Sequence, residues 1–121
     1  MKVKGVDYIF YNVSDMKKAM EFYRDTLGLR PLDEPGETWC EFDLGNGTLA
    51  IGVYGAKDGE KNNVSVALAV DDVAAAVDEL KKKHVPVVQE TFESGVCFMA
   101  IVTDPDRNQI ILHKRKDGTV G

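Results

Sequence analysis

Two stretches of this chain repeat one pattern at a spacing of 57 residues, and that repeat limits the architecture more than any other feature. Val13-Ser14-Asp15-Met16 leads into apolar residues at Ala19, Met20 and Tyr23, and Val70-Asp71-Asp72-Val73 leads into Ala76, Val77 and Leu80. Both series have the i, i+3, i+4, i+7 spacing of an amphipathic helix. The spacing predicts helices near residues 15–27 and 72–83. Ser14 and Asp71 stand where an N-cap is wanted, because their side-chain oxygens can accept from the free amides of the first turn. Gly28 and His84 mark the expected ends, glycine because the left-handed conformation costs it nothing. Lys81, Lys82 and Lys83 suit the negative end of the second helix dipole.

Each helix follows a strand-like run and precedes three more. Residues 6–13 are rich in aromatic and β-branched side chains, and residues 64–70 alternate Val66, Leu68 and Val70 with smaller residues. Beyond the first helix come a weak run at 30–32 and stronger ones at 39–44 and 48–54, the last two joined by Gly45-Asn46-Gly47. A two-residue Asn46-Gly47 turn would set Leu44 opposite Leu49, Phe42 opposite Ile51 and Cys40 opposite Val53. Beyond the second helix come 85–89, 96–103 and 109–114, with Asp104-Pro105-Asp106-Arg107-Asn108 before the last. The order is βαβββ written twice, an α+β chain. Module one runs over about 1–56, a polar linker over 57–63 and module two over about 64–116, within one domain of 121 residues. Each module has one sheet face under its helix and one left over. Two such modules can form a curved mixed sheet around a cavity, so the repeat predicts a pocket as well as a fold.

Composition excludes several function classes. Net charge is −5, and no basic run exceeds Lys81-Lys82-Lys83, which argues against nucleic acid and anionic membranes as partners. No apolar stretch approaches the ~20 residues that span a bilayer, and the start is no signal peptide. The expectation is a soluble cytoplasmic protein. Cys40 and Cys97 make no disulfide framework and are expected as free thiols.

Val6-Asp7-Tyr8-Ile9, Val13-Ser14-Asp15-Met16, Phe22-Tyr23 and Leu27-Gly28-Leu29 together resemble the opening of the vicinal oxygen chelate superfamily, the glyoxalase, bleomycin-resistance and extradiol-dioxygenase proteins. Asp104-Pro105-Asp106-Arg107-Asn108 resembles that superfamily's DPDGN turn, with Arg107 where glycine is usual. The resemblance covers about residues 5–115. It implies a βαβββ pair, a small-molecule partner and a homodimer, with ligand sites at or near the subunit interface. Fold alone does not give the activity.

The resemblance also implies where a divalent metal would be held by His, Glu or Gln. By motif register the positions fall at Tyr8, near Ile51, at Ser65 and near Ile111. Isoleucine offers no lone pair, and Ser and neutral Tyr are poor ligands. A register error of one residue brings in only Ala50 or Gly52, and Ile110 or Leu112. The two histidines, His84 at a helix end and His113 in the last strand, do not make a metal site. The expectation is therefore no metal, no cofactor and no assigned catalytic residue.

Period-two alternation predicts the residues that line the cavity instead. From module one these are Tyr8, Phe10, Phe42 and Ile51, with Asn12 at the end of the first strand and Cys40 and Leu49 on the same face. From module two they are Ser65, Cys97, Met99, Ile111 and His113, with Ala67, Ile101 and Gln109. Trp39, Glu41 and Asp43 alternate onto the opposite face. An apolar wall with a few polar handles is the usual make-up of an organic-ligand pocket. For Phe42, Leu49 and Ile101 plain core is preferred to pocket on their apolar type. Cys40 and Cys97, being 57 apart, are expected in equivalent strands as buried small hydrophobes.

Three functions compete. The first is a metal-free protein that binds a small apolar or aromatic molecule, resembling the bleomycin-resistance branch. The second is a metal-dependent enzyme resembling glyoxalase I, a lyase, or a ring-cleaving dioxygenase. The third is a metal-free enzyme using Tyr8 or His113 for proton transfer. Non-ligating residues at the metal positions favour the first over the second, and leave the first and third open.

Overall fold

A computed structural model describes residues 2, 7–54 and 64–120. The expected linker, 57–63, and the start of the first strand at Val6 lie outside the described residues. The chain divides into two compact units, Met1–Glu60 and Lys61–Gly121.

In the first unit β1 (Ile9–Asn12) leads to helix α1 (Met16–Met20), which continues as a π-helical segment over Glu21–Thr26. Three strands follow, β2 (Arg30–Pro31), β3 (Trp39–Asp43) and β4 (Thr48–Gly52). They form one sheet in the order β1-β4-β3-β2, with β1 parallel to β4 and the other neighbours antiparallel. The second unit repeats this with β5 (Val66–Ala69), α2 (Val73–Lys82), β6 (Val87–Glu93), β7 (Cys97–Thr103) and β8 (Gln109–Arg115). Its sheet order is β5-β8-β7-β6, again with one parallel pair, β5 with β8. The expected α+β pair of βαβββ modules is therefore the observed one.

The helix caps differ by one residue from expectation in both units. Asp15 and Asp72 are the N-caps, and Ser14 and Asp71 precede them. Both caps are extended, and their carboxylates accept from the amides of Lys18 and Ala75 at 3.2 and 2.9 Å. At the other end Gly28 (φ +75°) and His84 (φ +62°) take the left-handed conformation as expected. After α2, the amides of Val85 and His84 donate to the carbonyls of Leu80 and Lys81, which closes the helix as a Schellman motif. The N-caps are 57 residues apart but the left-handed residues only 56, so the first helix holds one residue more. Its π winding absorbs that residue: Leu27 N–H reaches back to Phe22 and Thr26 Oγ1 to Glu21.

The hairpin register is also corrected. Cys40 pairs with Ile51, Phe42 with Leu49 and Asp43 with Thr48. The loop is four residues long, with Leu44 N–H donating to Gly47 and Gly45 at φ +88°. Parity is unchanged by this two-residue shift, so Cys40, Phe42, Leu49 and Ile51 still share a face. That face lies under the helix. The Tyr23 ring of the π-helical segment packs 6.4 Å from Tyr11 and 6.0 Å from Phe42, centroid to centroid. Tyr11, Phe42, Leu49 and Ile51 are wholly buried. Phe42 and Ile51, expected on the pocket wall, are thus core residues on the side of the sheet away from Phe10. The physical reason is that the helix must cover the uniformly apolar face, and the alternate residues of β3, Glu41 and Asp43, are charged. In the second unit Val73, Val77 and Leu80 of α2 are buried with Val66, Ala100, Val102, Ile110 and Leu112. Here the expected faces agree with the observed ones.

The turn before β8 is held by one buried carboxylate. Asp104 Oδ1 accepts from the amides of Asp106 and Asn108 at 2.9 and 2.7 Å, and its Oδ2 accepts from Asn108 Nδ2 at 2.8 Å. Asp104, Asp106 and Asn108 are all buried, while Arg107 between them sits at φ +67°.

Candidate ligand-binding site

The face of the first sheet away from its helix carries an aromatic cluster. Successive side chains of a strand alternate, so Phe10 shares this face with Ala50 and Glu41, and Asn12 shares it with Gly52 and Trp39. Phe10 lies stacked on Trp39 with centroids 5.4 Å apart and planes at 11°. Tyr8 meets Trp39 edge-on at 5.6 Å and 84°, and Tyr54 does so at 6.1 Å and 64°. The four rings line an open hollow of about 540 Å³.

Gly52 makes this cluster possible. A Cβ built there would lie 2.8 Å from the Tyr54 ring, 2.9 Å from Trp39 and 3.0 Å from Phe10. Only the missing side chain lets three rings close over one backbone position. Asn12 fixes the fourth wall. Its Oδ1 accepts from Tyr54 N–H at 2.9 Å, and its Nδ2 donates to the Tyr54 carbonyl at 3.2 Å. The indole Nε1 of Trp39 donates to Glu41 Oε2 at 3.3 Å. Glu41 and Trp39, expected on the outer face, are therefore on the open face with Phe10. Next to them Asp43 is paired with Arg30. Its carboxyl is held below the usual carboxylate range, first by the Gly45 amide and then by Arg30.

Of the nine candidate residues, Tyr8 and Phe10 line the hollow, and Phe42 and Ile51 lie in the core beneath the helix. The other five belong to the second unit. Met99 is opposite His113 in the β7–β8 ladder, Ile111 is opposite both Ile101 and Ala67, and Cys97 is opposite Arg115. These side chains share the face away from the buried Ile110, Leu112, Ala100 and Val102. Exposed Ser65 stands just before β5. Cys97 Sγ is 3.3 Å from Ser94 Oγ. Trp39, Tyr54 and Gly52 are the site residues that the sequence reading missed. The charged alternation of Glu41 and Asp43 was the available signal, since it marks the face that no helix covers.

The ladders also relocate the metal positions implied by family resemblance. Ala50 faces Phe10 as Ile111 faces Ala67, so Ala50, not Ile51, is the counterpart of Ile111. The four positions then hold Tyr8, Ala50, Ser65 and Ile111. Two lack any donor atom, and no group of three or more His, Cys, Asp or Glu residues is placed to hold a metal among the described residues. The residues do not fit a divalent metal at these positions. The ladder likewise separates the cysteines: Cys40 corresponds to Ala100, not Cys97. Burial raises the Cys40 thiol above the usual range.

Comparison with known proteins agrees with this architecture. The family model described as Glyoxalase/Bleomycin resistance protein/Dioxygenase superfamily matches residues 5–112. A probable lactoylglutathione lyase of Vibrio cholerae is 30% identical over 123 aligned residues, covering 90% of this chain and 89% of that protein. A metallothiol transferase FosB of Staphylococcus epidermidis is 49% identical over 49 residues, which span 40% of this chain and only 34% of that protein. Among solved structures, a glyoxalase-related enzyme from Fulvimarina pelagi superposes with a TM-score of 0.79 at 17% identity, covering 98% of each chain.

Proposed function

The chain belongs to the Glyoxalase/Bleomycin resistance protein/Dioxygenase superfamily, and from that premise we propose that it binds a small apolar or aromatic molecule, without a metal, in the hollow of its first unit. The observation that carries this reading is the hollow itself. The rings of Tyr8, Phe10, Trp39 and Tyr54 line it, and Gly52, over which three of them close, puts no side chain between them. Flat apolar surface is removed from water on both partners when a ring slides into such a place, and aromatic contacts add to that gain.

A metal-dependent lyase or dioxygenase is disfavoured by the chemistry of Tyr8, Ala50, Ser65 and Ile111. Proton transfer by Tyr8 or His113 remains the alternative within the metal-free reading, and no contact of either residue favours it over binding. The reading includes a homodimer, supported by the resemblance and tested by sedimentation velocity. It also includes a cytoplasmic location, tested by cell fractionation. No helix among the described residues is long and apolar enough to cross a membrane.

The test is a thermal-shift screen with small aromatic and alicyclic compounds. A compound that binds only the folded state raises the melting temperature by mass action. Tyr8→Ala should cut the shift by more than half, and Phe42→Tyr, a change in the core, should leave the compound ranking unchanged. A screen whose best compounds stabilise Tyr8→Ala and Trp39→Phe as fully as the parent protein would place binding elsewhere.

A further inference from the structure

We propose that the occupant of the aromatic hollow is an organic cation, a quaternary or protonated ammonium carried on an aromatic or alkyl body. The inference rests on the hollow being the ligand site. It adds the sign of the ligand's charge.

Among the described residues the lining is Tyr8, Phe10, Trp39 and Tyr54, with no lysine, arginine or histidine. Ring faces carry negative electrostatic potential, so an aromatic lining favours a cation over an anion. A charged group beside the lining on this face is acidic. Glu41 neighbours Trp39 on β3, and its carboxylate accepts the indole N–H at 3.3 Å. Among the described residues, Arg30 on that side is paired with Asp43. An anion entering the hollow would leave water without gaining a counter-charge from the described lining, which is costly. A quaternary ammonium is weakly hydrated, meets the rings and lies near Glu41. The whole chain, at net charge −5, adds a long-range field of the same sign. Neutral apolar compounds gain only from area. The structure therefore discriminates by charge as well as by shape.

Three probes of nearly equal shape separate these contributions: 3-hydroxyphenyltrimethylammonium, 3-tert-butylphenol and 3-tert-butylbenzoate. Affinities are measured by calorimetry on the full chain. Trp39 is the single tryptophan of the chain, so its one indole N–H resonance reports occupancy without ambiguity. The cation should bind about five- to tenfold more tightly than the neutral phenol and shift the indole signal. Glu41→Gln keeps an acceptor for the indole while removing the charge, so it should reduce the cation's advantage over the phenol about two- to threefold. The benzoate should bind least. Equal or tighter binding of the phenol, with the indole shift retained, overturns the cation inference while the proposed binding function stands. A tightest-binding benzoate overturns the inference too. If no probe moves the indole signal, neither this inference nor the hollow as ligand site survives.

Discussion

Gly52 is the residue on which the hollow depends. Alanine there would force its Cβ to within 3 Å of three rings, and Trp39 has little room to retreat because Phe10 is stacked on it. Gly52→Ala should cost about 1–3 kcal/mol by overpacking, read by denaturant unfolding, and should alter the near-ultraviolet circular dichroism of Trp39. Cys40 tests burial on the other face. Its buried thiol stays protonated at neutral pH, so a Cys97→Ser variant should show no rapid reaction with a thiol reagent until the protein unfolds. Asp43 tests the charged edge of β3. Its carboxyl titrates below its ordinary value of 3.8 in the folded chain, so its stabilising contribution is complete above that pH. The contribution is lost as pH falls through the lowered folded value. The stability difference between parent and Asp43→Ala should therefore shrink as pH drops below 3.8, measured by acid-side urea titration.

At the scale of elements, caps and turns carry energies that can be read one at a time. Asp72→Ala should cost about 1 kcal/mol and Asp71→Ala distinctly less, because only Asp72 receives the Ala75 amide. Either order reversed would place the cap at Asp71 after all. In the turn before β8, Asp104→Ala should cost about 2–4 kcal/mol by stranding three buried donors. Arg107→Gly should raise stability by about 1 kcal/mol, since a side chain at φ +67° is strained. Thermal unfolding of the two variants checks both signs. The helices show why one repeat offset was not enough. An offset of 57 holds for β1 and both N-caps, falls to 56 at the left-handed residues, and becomes 60 in β3 and 61 in β4 when the ladders are matched. Each loop adds or removes residues, and only hydrogen-bond pairing reports the sum.

For the whole molecule, the two units share a strand order and differ in what their open faces offer. The first presents Phe10, Trp39 and Gly52, and the second presents Ala67, Met99 and His113 at the matching ladder positions. Duplication preserved the covered faces, which must remain apolar, and let the open faces diverge. Purified protein should carry no stoichiometric transition metal by elemental analysis, and chelation should leave its melting temperature unchanged. About one tightly held metal per chain would contradict the reading of Tyr8, Ala50, Ser65 and Ile111 as non-ligating.

From the sequence alone came the helices, the order of elements along the chain, the left-handed residues at Gly28 and His84, and the poverty of metal donors. All of these are local: they depend on spacing, side-chain chemistry and backbone preference within a few residues. Which face of β3 and β4 the helix covers was not local. Both alternating sets of β1, Ile9 and Tyr11 against Tyr8 and Phe10, are apolar, so that strand could not orient the sheet. The decision fell to packing, in which Tyr23 needed Tyr11 and Phe42 beside it and the charged Glu41 and Asp43 needed water. The hollow followed from that choice. Trp39, Gly52 and Tyr54 meet only because β3 and β4 are paired in one register, and register is a property of the folded sheet.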